Sequence, residues 1–151
     1  MLLRTRLLLA GLSLALLPLT AAALDFRSVA VPKAVLYDAP AVTAKKTLLL
    51  SQYYPVEVIV NLGDWLKVRD AQGTISWVEA KQLSSKHTVM VTAKAAEIRQ
   101  ASDAGSTLLA TLEKDVVLEL VDTKPTNGWL KVKHRDGLTG FISILAVWGA
   151  N

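Results

Sequence analysis

Apolar and polar residues alternate with a period of two along much of this chain. Segment 56–60 reads Val-Glu-Val-Ile-Val, and segment 65–69 reads Trp-Leu-Lys-Val-Arg. Because successive side chains of a β-strand point to opposite faces, this spacing indicates strands rather than helices. The pattern predicts that the three valines of the first segment, and Leu66 and Val68 of the second, face a core.

Turn-forming residues separate these segments. Asn61-Leu62-Gly63-Asp64 precedes the tryptophan strand, and Ala71-Gln72-Gly73 follows it. Later in the chain, Pro125-Thr126-Asn127-Gly128 and Arg135-Asp136-Gly137 flank a second such strand. Because Asp-Gly and similar glycine-containing pairs are typical of tight turns, each strand is predicted to belong to a hairpin.

The chain repeats itself. Trp65-Leu66-Lys67-Val68 recurs 64 residues later as Trp129-Leu130-Lys131-Val132. Upstream the offset falls to 62, which aligns 56–59 with 118–121. Each change of offset falls among Pro, Gly, Asn or small polar residues, so the length differences lie in loops. We therefore predict two copies of one unit, at 24–84 and 85–151, joined at 83–87.

The repeated unit predicts an all-β fold of two tandem small β-barrels. Each copy holds about five short strands in roughly 60 residues, which is too little chain for a sandwich. Segment 41–50 has the Ala, Lys and Leu content of a helix, but its counterpart 105–112 contains Gly, Ser and Thr. Both are therefore interpreted as a loop that leads into a strand, and no helix longer than a turn is predicted.

The first 23 residues are typical of a secretory signal peptide. Arg4 and Arg6 precede the apolar run 7–17, and small residues at 21–23 suit signal peptidase. A retained membrane anchor is the alternative, but a spanning helix needs about 20 residues without a breaker, and Pro18 interrupts this run. We predict cleavage after Ala23, a periplasmic location and no stable membrane insertion after cleavage.

The charge of the chain argues against nucleic acid as a partner. The whole chain carries 17 Lys and Arg against 13 Asp and Glu, and without the two arginines of the leader the balance is 15 to 13. No basic run is longer than Lys45-Lys46, whereas a phosphate-binding face needs several clustered cations. The absence of cysteine excludes a disulfide, a thiol nucleophile and a lipid-modified cysteine.

Both copies fit one outline: an apolar strand, a long loop, Leu, a Val-x-Val strand, a turn, Trp-x-x-Val, a hairpin with Gly, and Gly-Trp-Val. The first copy supplies Leu50, Val56, Val58, Trp65, Val68, Gly73 and Ser76-Trp77-Val78; the second supplies Leu112, Leu118, Leu120, Gly128-Trp129, Val132, Gly137 and Gly140-Phe141-Ile142. In these residues the chain resembles a tandem of bacterial SH3-like (SH3b) domains. The Gly that often precedes the Val-x-Val strand is Tyr53 or Asp115 here.

The resemblance implies two SH3-like β-barrels in a protein of the cell envelope. It also implies a non-catalytic binding module that is associated with peptidoglycan or its peptides. A second, shorter similarity concerns the segment Ala34-Val35-Leu36-Tyr37-Asp38. This segment is similar to the opening strand of eukaryotic SH3 domains, where the Tyr helps line a groove for proline-rich peptides.

Aromatic residues are the candidate ligand-binding groups. By strand alternation Trp65 shares an outer face with Lys67 and Arg69, and an indole among cations suits a peptide or muropeptide ligand with carboxylates. The alternative is that each Trp only packs against its neighbouring hairpin. The candidate ligand-binding residues are Tyr37, Tyr53, Tyr54, Trp65, Lys67, Trp77 and Trp129.

The aromatic residues are concentrated in the first copy. The second has Arg99, Asp115 and Val116 at the matching tyrosine positions, so a groove is predicted in the first barrel. The second barrel is then a brace or a partner surface. Trp148 has no aromatic counterpart in the first copy and is interpreted as a cap on the barrel end or on the contact between barrels.

No catalytic constellation is found in the sequence. His87 in the joint and His134 in a hairpin have neither a nucleophile nor an orienting acid at a shared position. The spacing of His and acidic residues matches no metal-ligand motif, so we predict no enzyme activity, no metal and no cofactor. Two partner classes remain open: peptidoglycan, and another exported protein or peptide bound at a groove or strand edge.

Overall fold

The computed structural model describes residues 22–150, so residues 1–21 of the predicted signal peptide lie outside the described part. The first half contains strands β1 (Asp25–Val29), β2 (Lys33–Tyr37), β3 (Lys46–Ser51), β4 (Pro55–Asn61), β5 (Trp65–Arg69), β6 (Ile75–Glu79) and β7 (Leu83–Ser84). The second half contains β8 (Thr88–Val91), β9 (Ala95–Arg99), β10 (Leu108–Glu113), β11 (Val117–Leu120), β12 (Trp129–Lys133), β13 (Thr139–Ser143) and β14 (Val147–Trp148). None of the helical turns in this part of the chain is long and apolar enough to cross a membrane.

The two halves have the same topology. The strand order is β3-β2-β6-β5-β4-β1-β7 in the first sheet and β10-β9-β13-β12-β11-β8-β14 in the second. Each sheet surrounds its own apolar cluster, and a single 3-10 turn precedes its last strand. The predicted all-β fold of two tandem small barrels is confirmed. Each sheet has seven strands rather than five, because two-residue strands such as β7 are too short to produce a periodic pattern.

The cores follow the predicted alternation. Leu66 and Val68 of β5, and Leu130 and Val132 of β12, are all at most 1% exposed. Their neighbours Trp65 and Trp129 face outward and are half-buried. Burial of a side chain of this size contributes about 1.5–3 kcal/mol, so each barrel is held by its own apolar contacts.

Strand β4 departs from the predicted alternation. A register shift between Val58 and Val60 leaves both Ile59 and Val60 exposed, so the prediction that Val60 faces the core is wrong. Glu57 is 5% exposed although it lies on the outer face of the strand. A β-bulge adds one residue to a strand and re-aims the side chains after it, which explains Val60. Glu57 is paired with Arg69 and lines a groove whose other side is the second barrel, which accounts for its low exposure.

Two non-glycine residues hold the left-handed conformation at matching places. Tyr53 has φ 69° and Asp115 has φ 71°, at the positions where the SH3b outline often has Gly. The N–H of Tyr53 donates to the Val29 carbonyl at 2.9 Å, and the N–H of Asp115 donates to the Val91 carbonyl at 2.8 Å. A left-handed residue other than Gly costs about 1–2 kcal/mol, and the same backbone bond holds it in each barrel.

The two barrels pack against one another across a seam. The rings of Phe26 (β1) and Trp148 (β14) meet edge to face, with centroids 5.1 Å apart and planes at 87°. The hydroxyl of Thr88 donates to the Tyr53 carbonyl at 2.7 Å. Met90 is 2% exposed and belongs to neither barrel core. Trp148 therefore caps the contact between the barrels.

Gly149 lies at this seam, and its replacement by Ala is expected to loosen the packing of the two barrels. It has φ +114°, and an added Cβ would lie 2.8 Å from the Thr88 carbonyl oxygen and 3.1 Å from the Pro55 Cβ. The expected loss in the free energy of unfolding is about 2 kcal/mol, since backbone strain adds to the overlap.

Gly63 provides the matched control for that variant. It also has a positive φ, +86°, but an added Cβ meets nothing within 4 Å. Gly63→Ala therefore isolates the conformational cost, and a loss of about 1 kcal/mol is expected. Equal losses for the two variants in urea unfolding would show that the seam contact contributes nothing.

Candidate functional site

Four of the seven candidate residues meet on one outer face of the first barrel. Cross-strand pairs place Tyr37 (β2) and Lys67 (β5) on either side of Trp77 (β6). The rings of Tyr37 and Trp65 meet edge to face with centroids 5.5 Å apart, and Lys67 Nζ lies 5.7 Å from the centroid of the Trp77 ring. We call Tyr37, Trp65, Lys67 and Trp77 the aromatic face.

The residues of the aromatic face differ in how deeply they are buried. Tyr37 is 6% exposed, whereas Trp65, Lys67 and Trp77 are all half-buried. Tyr37 therefore supports the Trp65 ring from the side and offers little surface of its own. An edge-to-face ring pair contributes about 0.5–1.5 kcal/mol beyond area burial, which holds the indole in one orientation.

A cleft opens beside Trp65. It has a volume of about 520 Å³ and is bordered by the β2–β3 loop at 41–43, the β4–β5 turn at Asp64, and the segment 79–81. We call this the Trp65 cleft. The Ala80 N–H donates to the Asp64 carbonyl at 2.8 Å, which ties two of its walls together. Its volume lies within the range of small-molecule and peptide side-chain pockets.

The Trp65 cleft carries charges of both signs. Glu79, which pairs with Trp65 across the sheet, also binds Lys81, with Nζ and Oε2 2.8 Å apart. The hydrogen bond and the charge of Glu79 raise the pKa of Lys81 above its ordinary value. Asp64 adds a second carboxylate. Acidic side chains therefore border the Trp65 ring in addition to the cations expected from the sequence.

The second barrel does not reproduce this arrangement. Trp129 is half-buried on β12, but among residues 22–150 it has no ring or cation partner. The counterpart of Tyr37 is Arg99, which donates to Glu97 and, at 2.7 Å, to the Ser106 carbonyl. Trp129 is thus present as a single indole without the supporting ring that Trp65 has.

Tyr53 and Tyr54 lie at the seam and not on the aromatic face. Tyr53 is 47% exposed, and Lys86 Nζ lies 5.1 Å from its ring centroid. The Tyr54 hydroxyl donates to Gln72 Oε1 at 2.8 Å. Burial, followed by the charge of Asp70, raises the pKa of Tyr54 above its ordinary value. Tyr53 therefore lies at the junction of the barrels, while Tyr54 packs against the first core and borders a cleft that it shares with Met90 of the second barrel.

Sequence reasoning missed the charged residues of the cleft. Asp64, Glu79 and Lys81 look like ordinary solvated residues at the ends of strands. Only the pairing of Trp65 with Glu79 across β5 and β6 shows that these charges border an indole. Strand alternation predicts that Trp65 faces outward. The same alternation applied to β6 also places Glu79 on the outer face, so part of this information was present in the sequence.

Neither histidine is placed for acid–base chemistry with a nucleophile. His134 Nδ1 lies 2.9 Å from Asp136 Oδ1 within one exposed hairpin turn. The pKa of Asp136 is lowered, first by the N–H of Leu138 and then by His134. His87 is exposed in the joint, and its carbonyl accepts the Leu120 N–H at 3.0 Å. Over residues 22–150 no three His, Asp or Glu side chains are grouped as metal ligands.

Two barrels of the same topology, one with an aromatic face, define a tandem SH3-like protein. The family model described as bacterial SH3 domain matches residues 30–85 and again residues 92–149. The chain therefore belongs to the bacterial SH3 domain family, and the resemblance to a tandem SH3b protein is confirmed. Domains of this family are typically binding modules of extracellular or cell-envelope proteins.

Solved structures similar to this chain include two proteins of Trichomonas vaginalis. NlpC2 has 14% identity and a TM-score of 0.37, and the alignment covers 83% of this chain and 48% of NlpC2. NlpC1 has 14% identity and a TM-score of 0.38, with 85% of this chain and 46% of NlpC1 covered.

A third similar structure is an NlpC/P60 family protein from Bacillus cereus. It has 16% identity and a TM-score of 0.38, with 82% of this chain and 55% of that protein covered. This chain thus spans about half the length of each of the three proteins. Among curated protein sequences, none matches this chain.

Proposed function

We propose that this chain is a non-catalytic, periplasmic binding protein that recognises the peptides of peptidoglycan through the aromatic face and the Trp65 cleft. Membership of the bacterial SH3 domain family supports a cell-envelope binding role. The leader predicted at 1–23 supports export. The second barrel acts chiefly as a brace for the first.

The observation that carries this proposal is the supported indole of Trp65. Tyr37 packs edge to face against it, and the 520 Å³ cleft opens beside it. A fixed, half-exposed ring next to a cleft loses little conformational entropy when a ligand binds, so stacking on it contributes to affinity.

The charges of the site favour a peptide over a glycan chain. Lys67 and Lys81 can bind carboxylates, while Asp64 and Glu79 can bind amines or amide N–H groups. Peptide stems carry carboxylates and amines that can form ion pairs with these side chains, whereas the hydroxyl and acetamido groups of a glycan can form only neutral-to-charged hydrogen bonds with them. A peptide is therefore the ligand class that gains most from the charges of the site.

A second candidate function is binding or bracing of another exported protein. Strands β3 and β10 form the outer ends of their sheets, and each exposes apolar side chains: Leu49 is 61% and Leu108 is 47% exposed. An edge strand with free backbone groups can pair with an extended segment of another chain. This candidate uses the sheet edges and not the Trp65 cleft.

Cosedimentation with purified peptidoglycan separates the two functions. We expect the purified chain to pellet with the wall material in the presence of excess soluble protein. Wall material treated with an amidase that removes the peptide stems is expected to retain much less of it, because the ligand is the peptide.

Three results contradict the proposal in different ways. Equal retention by stem-free wall material shows that the glycan is the ligand. No retention, together with the crosslinking of one exported protein, favours the second function. Measurable turnover of muropeptides by the purified chain shows that the protein is an enzyme.

A further inference from the structure

A second groove lies between the two barrels. It has a volume of about 520 Å³, and both barrels line it. The first barrel contributes Phe26, Glu57, Arg69 and the β5–β6 turn at 70–73, and the second contributes the segment 147–150. We call this the seam groove. It shares no lining residue with the Trp65 cleft, and grooves between domains are common places for ligands to bind.

One wall of the seam groove is aromatic. Phe26 is 6% exposed, and the half-buried Trp148 packs edge to face against it. The pair therefore presents part of the indole to the groove while Phe26 holds it in place. A wall of this kind binds the methylene groups of an aliphatic side chain and also attracts a cation.

The opposite wall holds a carboxylate with one oxygen still available. Arg69 Nε and Nη2 both donate to Glu57 Oε2, at 2.9 and 2.6 Å. Glu57 Oε1 accepts no hydrogen bond from residues 22–150. Every fully enclosed side-chain oxygen in that range has a hydrogen-bond partner, so Oε1 must keep some exposed surface. Glu57 is 5% exposed and lines the groove, so Oε1 is the oxygen that remains to accept a hydrogen bond from a ligand there.

The groove is net acidic. Its ionised lining groups are Glu57, Asp70 and Arg69, which gives two negative charges against one positive charge. Asp70 is 4% exposed, and its Oδ1 accepts the N–H groups of Gln72 at 2.9 Å and Thr74 at 2.8 Å. Because carboxylates outnumber guanidinium groups in the lining, a cation is favoured and a carboxylate is repelled.

We propose that the seam groove is a second binding site, which takes a lysine-like side chain of a peptide, with the primary ammonium on Glu57 Oε1 and the alkyl chain along Trp148. An ammonium is compact, and one of its three donors reaches a single oxygen. A guanidinium fits less well, because its planar fork prefers both oxygens of a carboxylate and Arg69 already occupies Oε2. The site is independent of the peptide binding proposed for the Trp65 cleft.

Three short peptides test this site on the unaltered protein. The probe is acetyl-Ala-Lys-Ala-amide, and the controls carry norleucine or Nε-acetyl-lysine in place of Lys. We expect calorimetric titration to give an affinity at least about tenfold higher for the Lys peptide, as expected for one charge-assisted hydrogen bond in a covered site. The indole N–H signal of Trp148, assigned with Trp148→Phe, is expected to shift on binding.

Glu57→Gln keeps the shape of the side chain and removes its charge, so it is expected to lower affinity for the Lys peptide by the same factor of about ten. Glu119 is the counterpart in the second barrel, where it is exposed and 3.1 Å from Lys86 Nζ. Glu119→Gln is the matched control and is expected to leave affinity unchanged.

Several outcomes overturn the proposal. Equal affinity for the Lys and norleucine peptides removes the role of the ammonium, and a shift of the Trp65 signal in place of Trp148 moves the site to the cleft. Unchanged affinity in a folded Glu57→Gln protein excludes Glu57. If that variant does not fold, the peptide series on the unaltered protein decides. Trp65→Ala disables the cleft but leaves the groove, so each site can fail without the other.

Discussion

Replacement of Gly140 by Ala is expected to lower the free energy of unfolding of the second barrel by about 3 kcal/mol. Gly140 is buried on β13 opposite Val132. An added Cβ would lie 2.5 Å from Ile98 Cγ2 and 2.8 Å from the Arg99 carbonyl oxygen. The carbonyl belongs to the backbone of β9 and cannot turn aside, so the strands must separate. Urea unfolding measures the loss.

The first barrel supplies the control for this variant. Its counterpart of Gly140 is Ser76, which is buried but already carries a Cβ. The counterpart of Ile98 is Leu36, which has no methyl group branching from its own Cβ. Ser76→Ala is therefore expected to cost less than about 1 kcal/mol, the worth of one hydroxyl.

The same comparison predicts a partial rescue. Ile98→Leu removes the Cγ2 atom that overlaps the added Cβ, so the double variant Ile98→Leu with Gly140→Ala is expected to lose less stability than the two separate losses combined. Strictly additive losses would contradict the proposed contact. A loss for Ser76→Ala as large as that for Gly140→Ala would show that the position is sensitive in both barrels.

Replacement of Trp65 by Ala is expected to weaken binding of a soluble peptidoglycan stem peptide by about 2 kcal/mol or more, which is a loss of about 30-fold in affinity. The physical reason is that the ring is held by Tyr37 and borders the cleft, so its removal eliminates both the stacking surface and one wall. Fluorescence anisotropy of a labelled stem peptide measures the change.

Trp129→Ala is the matched control. Trp129 has the same position in its strand as Trp65 and is also half-buried, but it lacks a ring partner within residues 22–150. We expect less than a threefold change in affinity. A threefold change corresponds to about 0.6 kcal/mol of binding free energy, and a residue outside the site is expected to contribute no more than that. Equal losses for the two variants would show that the repeated Trp, and not its surroundings, binds the ligand.

The fold could be predicted because its signal is local and occurs twice. Alternation assigned Leu66, Val68, Leu130 and Val132 to the cores, and each is buried. The bulge after Val58 carries no such signal, because Ile59 and Val60 are both apolar and either one could face inward. The burial of Glu57 also could not be predicted, since it depends on its pairing with Arg69 and on the second barrel across the shared groove.

The candidate site could be predicted only in part. Outward placement of Trp65 follows from strand alternation, but its edge-to-face contact with Tyr37 depends on strands β2 and β5 on either side of β6. Tyr53 and Tyr54 are close to Trp65 in sequence, yet the turn that contains them is at the seam. Phe26 precedes the regular repeat, so its contact with Trp148 has no counterpart from which it could be inferred.

The central claim is that the aromatic face of the first barrel binds the ligand. The most direct measurement is a nuclear magnetic resonance titration of the four tryptophan indole N–H signals with a muropeptide whose amines are acetylated, so that the seam groove is not engaged. We predict saturable shifts of the Trp65 and Trp77 signals, while Trp129 stays unchanged. Shifts confined to Trp129 or Trp148, or no shift of any indole at saturating ligand, would contradict the claim.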